Sequence, residues 1–389
     1  MLPEFDNTEI AFKYRTNKAL KTAQLLFAAI GSPSITKLGM SLTTWAINWH
    51  LPISGIVKKT IFQQFCGGET MEAAAKTSEV LAPFNVNVIL DYGVEGKDGE
   101  SEFDKAVPEF IKAIKYAGSK DNIPFISIKV TGFARFGLLE KIHKNEHLST
   151  AETEEWQRVN NRIDTICQTG AAEGVMILID AEETWIQKPV NQLANLMMER
   201  YNKTQAWVFN TFQLYTTIAL PYLKESFEHS SSKGYILGAK LVRGAYMEKE
   251  RERSIKMNYE DPIQTTKAVT DKDYDEAVLF CLQRLDKLAV FIGTHNEKSC
   301  YEAAKYMHEH NIPADNERVW FSQLYGMSDN ISFNLGHSKY NVAKYLPYGP
   351  VKDVLPYLMR RAQENTSVAG QTSRELSLIN KELQRRKSS

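Results

Sequence analysis

At 389 residues the chain is long enough for one large domain with an appendage, or for two domains. Its 43% hydrophobic and 24% charged content is that of a globular enzyme. The 47 basic and 47 acidic side chains balance to zero without a long basic stripe, which argues against a nucleic-acid partner. Cys66, Cys167, Cys281 and Cys300 are scattered with no metal-type spacing, as expected of reduced thiols in a reducing compartment.

Residues 1–18 mix acidic and basic side chains and have no apolar signal core. No apolar run is long enough to span a bilayer. Residues 23–65 are apolar and aromatic, with Trp45 and Trp49 four apart. They read as a helical arm buried on the main domain, a peripheral membrane contact being the alternative. We take 1–80 as this arm, 81–370 as the principal domain and 371–389 as a tail, with residues 385–389 frayed.

After Gly67-Gly68 short β-branched runs alternate with longer amphipathic stretches. Strands are expected at 86–90, 125–130, 175–179, 206–210, 237–242, 290–294, 319–322 and 342–346. Helices are expected at 150–172, 190–201, 272–288 and 297–310, with Ser149-Thr150 and Asn296-Glu297 as start signals. The charge-rich stretch 249–272 reads as a long loop. Repeated strand-then-helix units predict a distorted (β/α)8 barrel of TIM type. A doubly wound open sheet is the competing architecture, but the chain has no GxGxxG turn. Polar side chains also recur where strands end, at Asp91, Lys129, Asp180, Lys240 with Arg243, Thr294 with His295, and Tyr345. That end of a barrel carries its chemistry.

Individual segments suggest ligands. In Gly238–Tyr246 a glycine and an alanine allow close backbone approach, and Lys240 and Arg243 add positive charge. Thr294-His295-Asn296 opens a helix whose N–H groups suit a pyrophosphate. Lys129 and Asp180 end strands rich in Ile, and a charge there calls for a partner or a ligand. On a helix Tyr357, Arg360, Arg361 and Glu364 share one face, and two adjacent guanidinium groups suit a carboxylate. His143-Lys144-Asn145-Glu146-His147 matches the HxxEH spelling of zinc peptidases, but charged surroundings and no evident third ligand argue against a metal.

Together these segments resemble the proline dehydrogenase family, from about residue 52 to 368. The motifs are LDYGVEG at 90–96, SIKVTG at 127–132, LIDAEE at 178–183, GAKLVRGAY at 238–246, THNEKS at 294–299, QLYGM at 323–327, and YLPYGP with YLMRRAQEN within 345–365. Lys240 in place of an arginine resembles the eukaryotic-type branch. The resemblance implies a barrel that binds FAD non-covalently, with its final helix over the barrel mouth. It implies oxidation of L-proline to Δ1-pyrroline-5-carboxylate, electrons passing to a quinone.

By the same resemblance, Lys129, Arg360 and Arg361 bind the proline carboxylate, and Leu324, Tyr345 and Tyr357 enclose its ring. Asp180 and Lys240 take the catalytic roles. Ala181, Gln213, Val242, Arg243, Gly244, Ala245, Thr294, His295 and Glu364 contact the flavin. The phenol of Tyr345 favours proline over the hydroxyproline dehydrogenase alternative. A barrel that binds without catalysing is a further alternative, and the bleaching of a yellow protein by proline separates it. The chain is expected to lack a fused aldehyde dehydrogenase, so that pyrroline-5-carboxylate dehydrogenase is a separate partner. A bacterial cytoplasm with loose attachment to the inner membrane is the expected location, mitochondria being the alternative.

Overall fold

A computed structural model of the chain describes residues 1–32, 55, 58–93, 99–355, 357–359 and 371–388. Eight strands, β1 (Asn87–Tyr92), β2 (Phe125–Lys129), β3 (Met176–Asp180), β4 (Val208–Gln213), β5 (Leu237–Val242), β6 (Leu288–Gly293), β7 (Val319–Leu324) and β8 (Val342–Tyr348), close in chain order into a parallel barrel. Every strand lies within two residues of its expected start. The open-sheet alternative is excluded by this closure. By contacts the chain divides into two compact units, Met1–Glu95 with Gln323–Ser389, and Gly96–Ser322.

In the unit Gly96–Ser322, the strands are buried along almost their whole length, as parallel strands covered by helices must be. Phe125 of β2, Phe209 of β4 and Phe291 of β6 come from alternate strands and meet as a layer. Phe125 packs against the other two rings with centroids at 6.0 and 5.1 Å, and against Trp320 at 5.0 Å. The helix Thr150–Glu173 begins where expected because Ser149 and Glu152 form a reciprocal cap: Glu152 N donates to Ser149 Oγ at 3.2 Å, and Ser149 N donates to Glu152 Oε2 at 3.0 Å. It ends on Gly174 at φ 71°, a conformation that favours glycine.

The expected loop at 249–272 is instead mostly helical, Met247–Met257 and then Lys267–Leu282. Glu250 and Ser254, four apart on one face, are its buried residues. Both oxygens of Glu250 are used, accepting from Thr184 N at 2.7 Å and from Thr184 Oγ1 at 2.6 Å. A helix held by polar contacts leaves no apolar stripe in the sequence, which is why it reads as a loop.

In the other unit β1 and β8 pair in register from Asn87 opposite Ala343 to Tyr92 opposite Tyr348. The helix Asn17–Ile30 buries Leu20, Ala23, Phe27 and Ile30 at helical spacing. They join a core with Phe62, Phe65, Val354, Leu355, Tyr357, Leu358, Leu378 and Ile379. The two ends of the expected arm at 23–65 are therefore core, while Trp45 and Trp49 lie outside the described residues. The tail is not frayed at its described residues, 385–388. Gln371–Ser388 is helical, and both Arg385 and Arg386 bond to Glu382, whose side chain is fully buried. Arg386 also donates to Phe12 O at 2.7 Å and to Arg15 O at 2.8 Å, so a polar sequence end is tied to the core by its cations. Among the described residues no helix is long and apolar enough to cross a membrane.

At Gly238 the neighbouring strand comes close. A Cβ there would stand 2.2 Å from Val208 O, and a backbone atom cannot swing aside. Gly238→Ala is therefore expected to cost about 1–3 kcal/mol through overpacking. Chemical denaturation of the purified variant checks this, and wild-type stability would mean that β4 and β5 spread freely.

Candidate active site

Ser127 and Lys129 are two apart on β2 and so share a face, and Lys129 stands opposite Asp180 of β3 in the strand register. Asp180 and Lys240 both come from odd-numbered strands, and their side chains meet with Oδ1 and Nζ 2.5 Å apart, 13% and 8% exposed. Burial pushes the Asp180 carboxyl up, but the charges of Lys240 and Lys129 and hydrogen bonds from Lys240 and Ser127 outweigh it. Its pKa falls below the usual carboxylate value, so Asp180 is an anion and Lys240 is held beside it.

Two residues after Asp180 stands Glu182, 5% exposed. It accepts from Thr131 Oγ1 at 2.6 Å and from Thr131 N at 3.2 Å. Burial raises its pKa to about 7 despite those bonds and the Lys129 charge. Gln213 ends β4 opposite Val242, and its Nε2 donates to Glu182 O at 2.7 Å. The half-buried Ala181 lies between Asp180 and Glu182 in the chain.

Arg243 follows β5 directly. It donates to Asp271 Oδ1 at 2.6 Å, to Thr294 Oγ1 at 2.6 Å and to Ser299 Oγ at 3.1 Å, and its guanidinium carbon lies 4.2 Å from the centre of the Tyr274 ring. Three of its five donors are thus committed to the protein. The exposed Gly244 and Ala245 come next. Gly244 has φ 136°, and a Cβ there would meet the Tyr215 ring at 2.4 Å, so no other residue type fits. Half-buried His295 precedes Asn296, which caps the helix Glu297–Glu309 by accepting from Ser299 N at 3.2 Å. A basic side chain, a bare backbone turn and a helix N-terminus occur together here, and these are groups that bind phosphate.

Lys129, Asp180, Ala181, Gln213, Lys240, Val242, Arg243, Gly244, Ala245, Thr294 and His295 thus belong to one unit, at the carboxyl ends of β2 to β6. Leu324, Tyr345 and Tyr357 belong to the other. Leu324 packs against the core that contains Tyr357, and Tyr345 O accepts from Tyr325 N at 2.9 Å. Arg360, Arg361 and Glu364 lie outside the described residues. Ser127, Thr131, Asp271 and Ser299 do not stand out in the sequence. Their roles depend on partners up to 56 positions away, and only the three carboxylates of the IDAEE segment hinted at Glu182. The HxxEH spelling is not a helical pair: its helix, Phe136–His143, ends at the first histidine, and His147 is exposed beyond it.

An eight-stranded parallel barrel with charged groups gathered at its carboxyl ends defines a (β/α)8-barrel enzyme. A family model described as proline dehydrogenase matches residues 74–374, and the chain belongs to the proline dehydrogenase family. The carbapenem antibiotics biosynthesis protein CarD of Pectobacterium carotovorum subsp. carotovorum is 35% identical over 322 residues, covering 83% of each chain. Proline dehydrogenase 1, mitochondrial, of Dictyostelium discoideum is 33% identical over 379 residues, covering 86% of this chain and 66% of its own. Among solved structures, proline utilization A from Bdellovibrio bacteriovorus, inactivated by N-propargylglycine, superposes with a TM-score of 0.73 at 18% identity. That match covers 94% of this chain and 38% of the longer one, and it shows the fold.

Because the Glu182 pKa is raised from 4.5 to about 7, the folded protein holds a proton that the unfolded chain releases. The associated stability is complete below about pH 4.5 and is lost as pH rises through about 7, an effect on the order of 3 kcal/mol at most. Glu182→Gln should remove this component. Melting curves of both proteins from pH 5 to 8 would then converge or cross, whereas a constant offset would show that Glu182 does not titrate there.

Proposed function

We propose that this enzyme oxidises L-proline to Δ1-pyrroline-5-carboxylate with bound FAD, and that the electrons pass on to a quinone. The observation that carries the proposal is the Asp180–Lys240 ion pair beside Lys129, within a chain of the proline dehydrogenase family. The cradle at Arg243, Gly244 and the start of the helix Glu297–Glu309 fits the pyrophosphate of a dinucleotide such as FAD. FAD when bound would supply the hydride acceptor. Residues proposed to hold it are Ala181, Gln213, Val242, Arg243, Gly244, Ala245, Thr294, His295 and Glu364.

The protein's own residues bind and orient. Proline carries one carboxylate, and Lys129, Arg360 and Arg361 are proposed to bind it, which offsets the several kcal/mol needed to strip its water. Leu324, Tyr345 and Tyr357 enclose the ring and fix the angle at which its amine-bearing carbon reacts. The amine must give its proton to solvent before hydride leaves, since a protonated nitrogen has no lone pair to expel hydride. Asp180 is already an anion and is occupied by Lys240, so its main role is to hold that ammonium in place. A cation fixed in advance stabilises negative charge that develops during reaction without reorganising. The product is a substrate for a pyrroline-5-carboxylate dehydrogenase.

The decisive experiment is an absorption spectrum of the purified protein under anaerobic conditions. The flavin band is expected to bleach on adding L-proline, with little change on adding hydroxyproline. A colourless protein, or a yellow one indifferent to both amino acids, would end the proposal. Arg361→Met is expected to weaken proline binding by about 2–5 kcal/mol, by analogy with truncating one partner of a charge pair. The Michaelis constant for proline reads this out, and an unchanged value would remove Arg361 from the site.

A further inference from the structure

A second buried charged cluster lies in the unit formed by Met1–Glu95 and Gln323–Ser389, and the proposed reaction does not use it directly. Lys344 in the middle of β8 is 1% exposed, and Asp329, at the start of the helix Asp329–His337, is 3% exposed. Lys344 Nζ lies 2.9 Å from Asp329 Oδ1. Asp329 Oδ2 accepts from Tyr14 Oη at 2.8 Å and pairs with Arg15 Nη2 at 3.0 Å. Burial raises the Asp329 carboxyl, but the charges of Lys344 and Arg15 outweigh it and keep Asp329 ionised.

These groups hold the backbone of residues 324–328. The Lys344 ammonium donates to Met327 O and lies 3.5 Å from Leu324 O. Gln64 Nε2 donates to Gly326 O at 2.6 Å, and Ser328 N donates to the buried Glu375. Tyr325 N donates to Tyr345 O at 2.9 Å. Gly326 has φ 80°, and a Cβ there would stand 1.9 Å from Gln64 O, so the turn has no slack. The clamp therefore grips two of the three segments that carry proposed ring-enclosing residues. Leu324 sits at its start, and Tyr345 is the next residue after Lys344. Consecutive strand residues point to opposite faces, so Lys344 anchors β8 from the face opposite Tyr345. Stability alone does not explain the pair, since buried ion pairs seldom outperform apolar residues of the same size.

We propose that Asp329 and Lys344 are positioning residues for the substrate pocket. Through the 324–328 turn and β8 they set where Leu324 and Tyr345 stand, and so how tightly a five-membered ring is held and whether a ring hydroxyl is admitted. This rests on the proline-oxidising function proposed above.

The test uses the full chain with its flavin. Lys344→Met alone removes one of the two cations that keep Asp329 ionised, so it is combined with Asp329→Asn, which keeps the net charge and an acceptor for Tyr14 and Arg15. The double variant is expected to raise KM for L-proline about tenfold with kcat within about threefold and flavin content unchanged. Its preference for proline over hydroxyproline should narrow. If the double variant does not fold, Lys344→Arg keeps the charge but shifts the contact, with the same direction of change expected. A folded variant with wild-type KM and wild-type preference overturns the proposal, even if it melts earlier. In that case the unsubstituted protein still turns over proline and the functional proposal stands. An unsubstituted protein that oxidises neither amino acid takes both down.

Discussion

A charge carried into the low-dielectric interior of a barrel must find an opposite charge or lose its ionisation, and that constraint organises this enzyme. Asp180 and Lys240 satisfy it together. They leave alternate strands, meet at 2.5 Å, and are flanked by Lys129 from the strand next to β3. Neither side chain has a free choice of rotamer, because each is the other's solvent. Charges fixed in advance by folding need little reorganisation when a new charge comes beside them.

The same constraint recurs in the other unit with a different outcome. Lys344, Asp329, Arg15 and Glu375 are buried together, and they spend their hydrogen bonds on backbone carbonyls and amides. Burial lifts Glu375 to about 7, with the charge of Asp329 adding to the effect, so of the two carboxylates Asp329 is the fixed anion. One cluster lies at the carboxyl ends of β3 and β5, and the other holds the turn 324–328 and strand β8. A barrel gains reach this way: loops do the binding, and charges beneath them restrict where the loops go.

Much was legible in the chain because it was local. The eight strands were visible as short β-branched runs, and the capping box at Ser149 and Glu152 needs only three residues of separation. Lys129, Asp180 and Lys240 stood out because charges ending Ile- and Leu-rich strands are costly without partners. The helix Met247–Met257 reads as a loop because Glu250 is satisfied by Thr184, 66 positions away, and no periodic apolar face announces it. The helix Gln371–Ser388 is hidden likewise: its cations look solvated until they are seen bonded to Phe12 O, Arg15 O and Glu382.

The sequence by itself determined the order and kind of the elements, the placing of charges at strand ends, and the family, since each is a matter of neighbours along the chain. Only the tertiary structure decided which charges pair, that Thr131 bonds Glu182, that Arg243 is committed to Asp271, Thr294 and Ser299, and that Lys344 clamps the turn before Asp329. The reason is that a hydrogen bond or ion pair is chosen by distance and by the absence of competing water. Closing a barrel sets both, for residues that the chain keeps far apart.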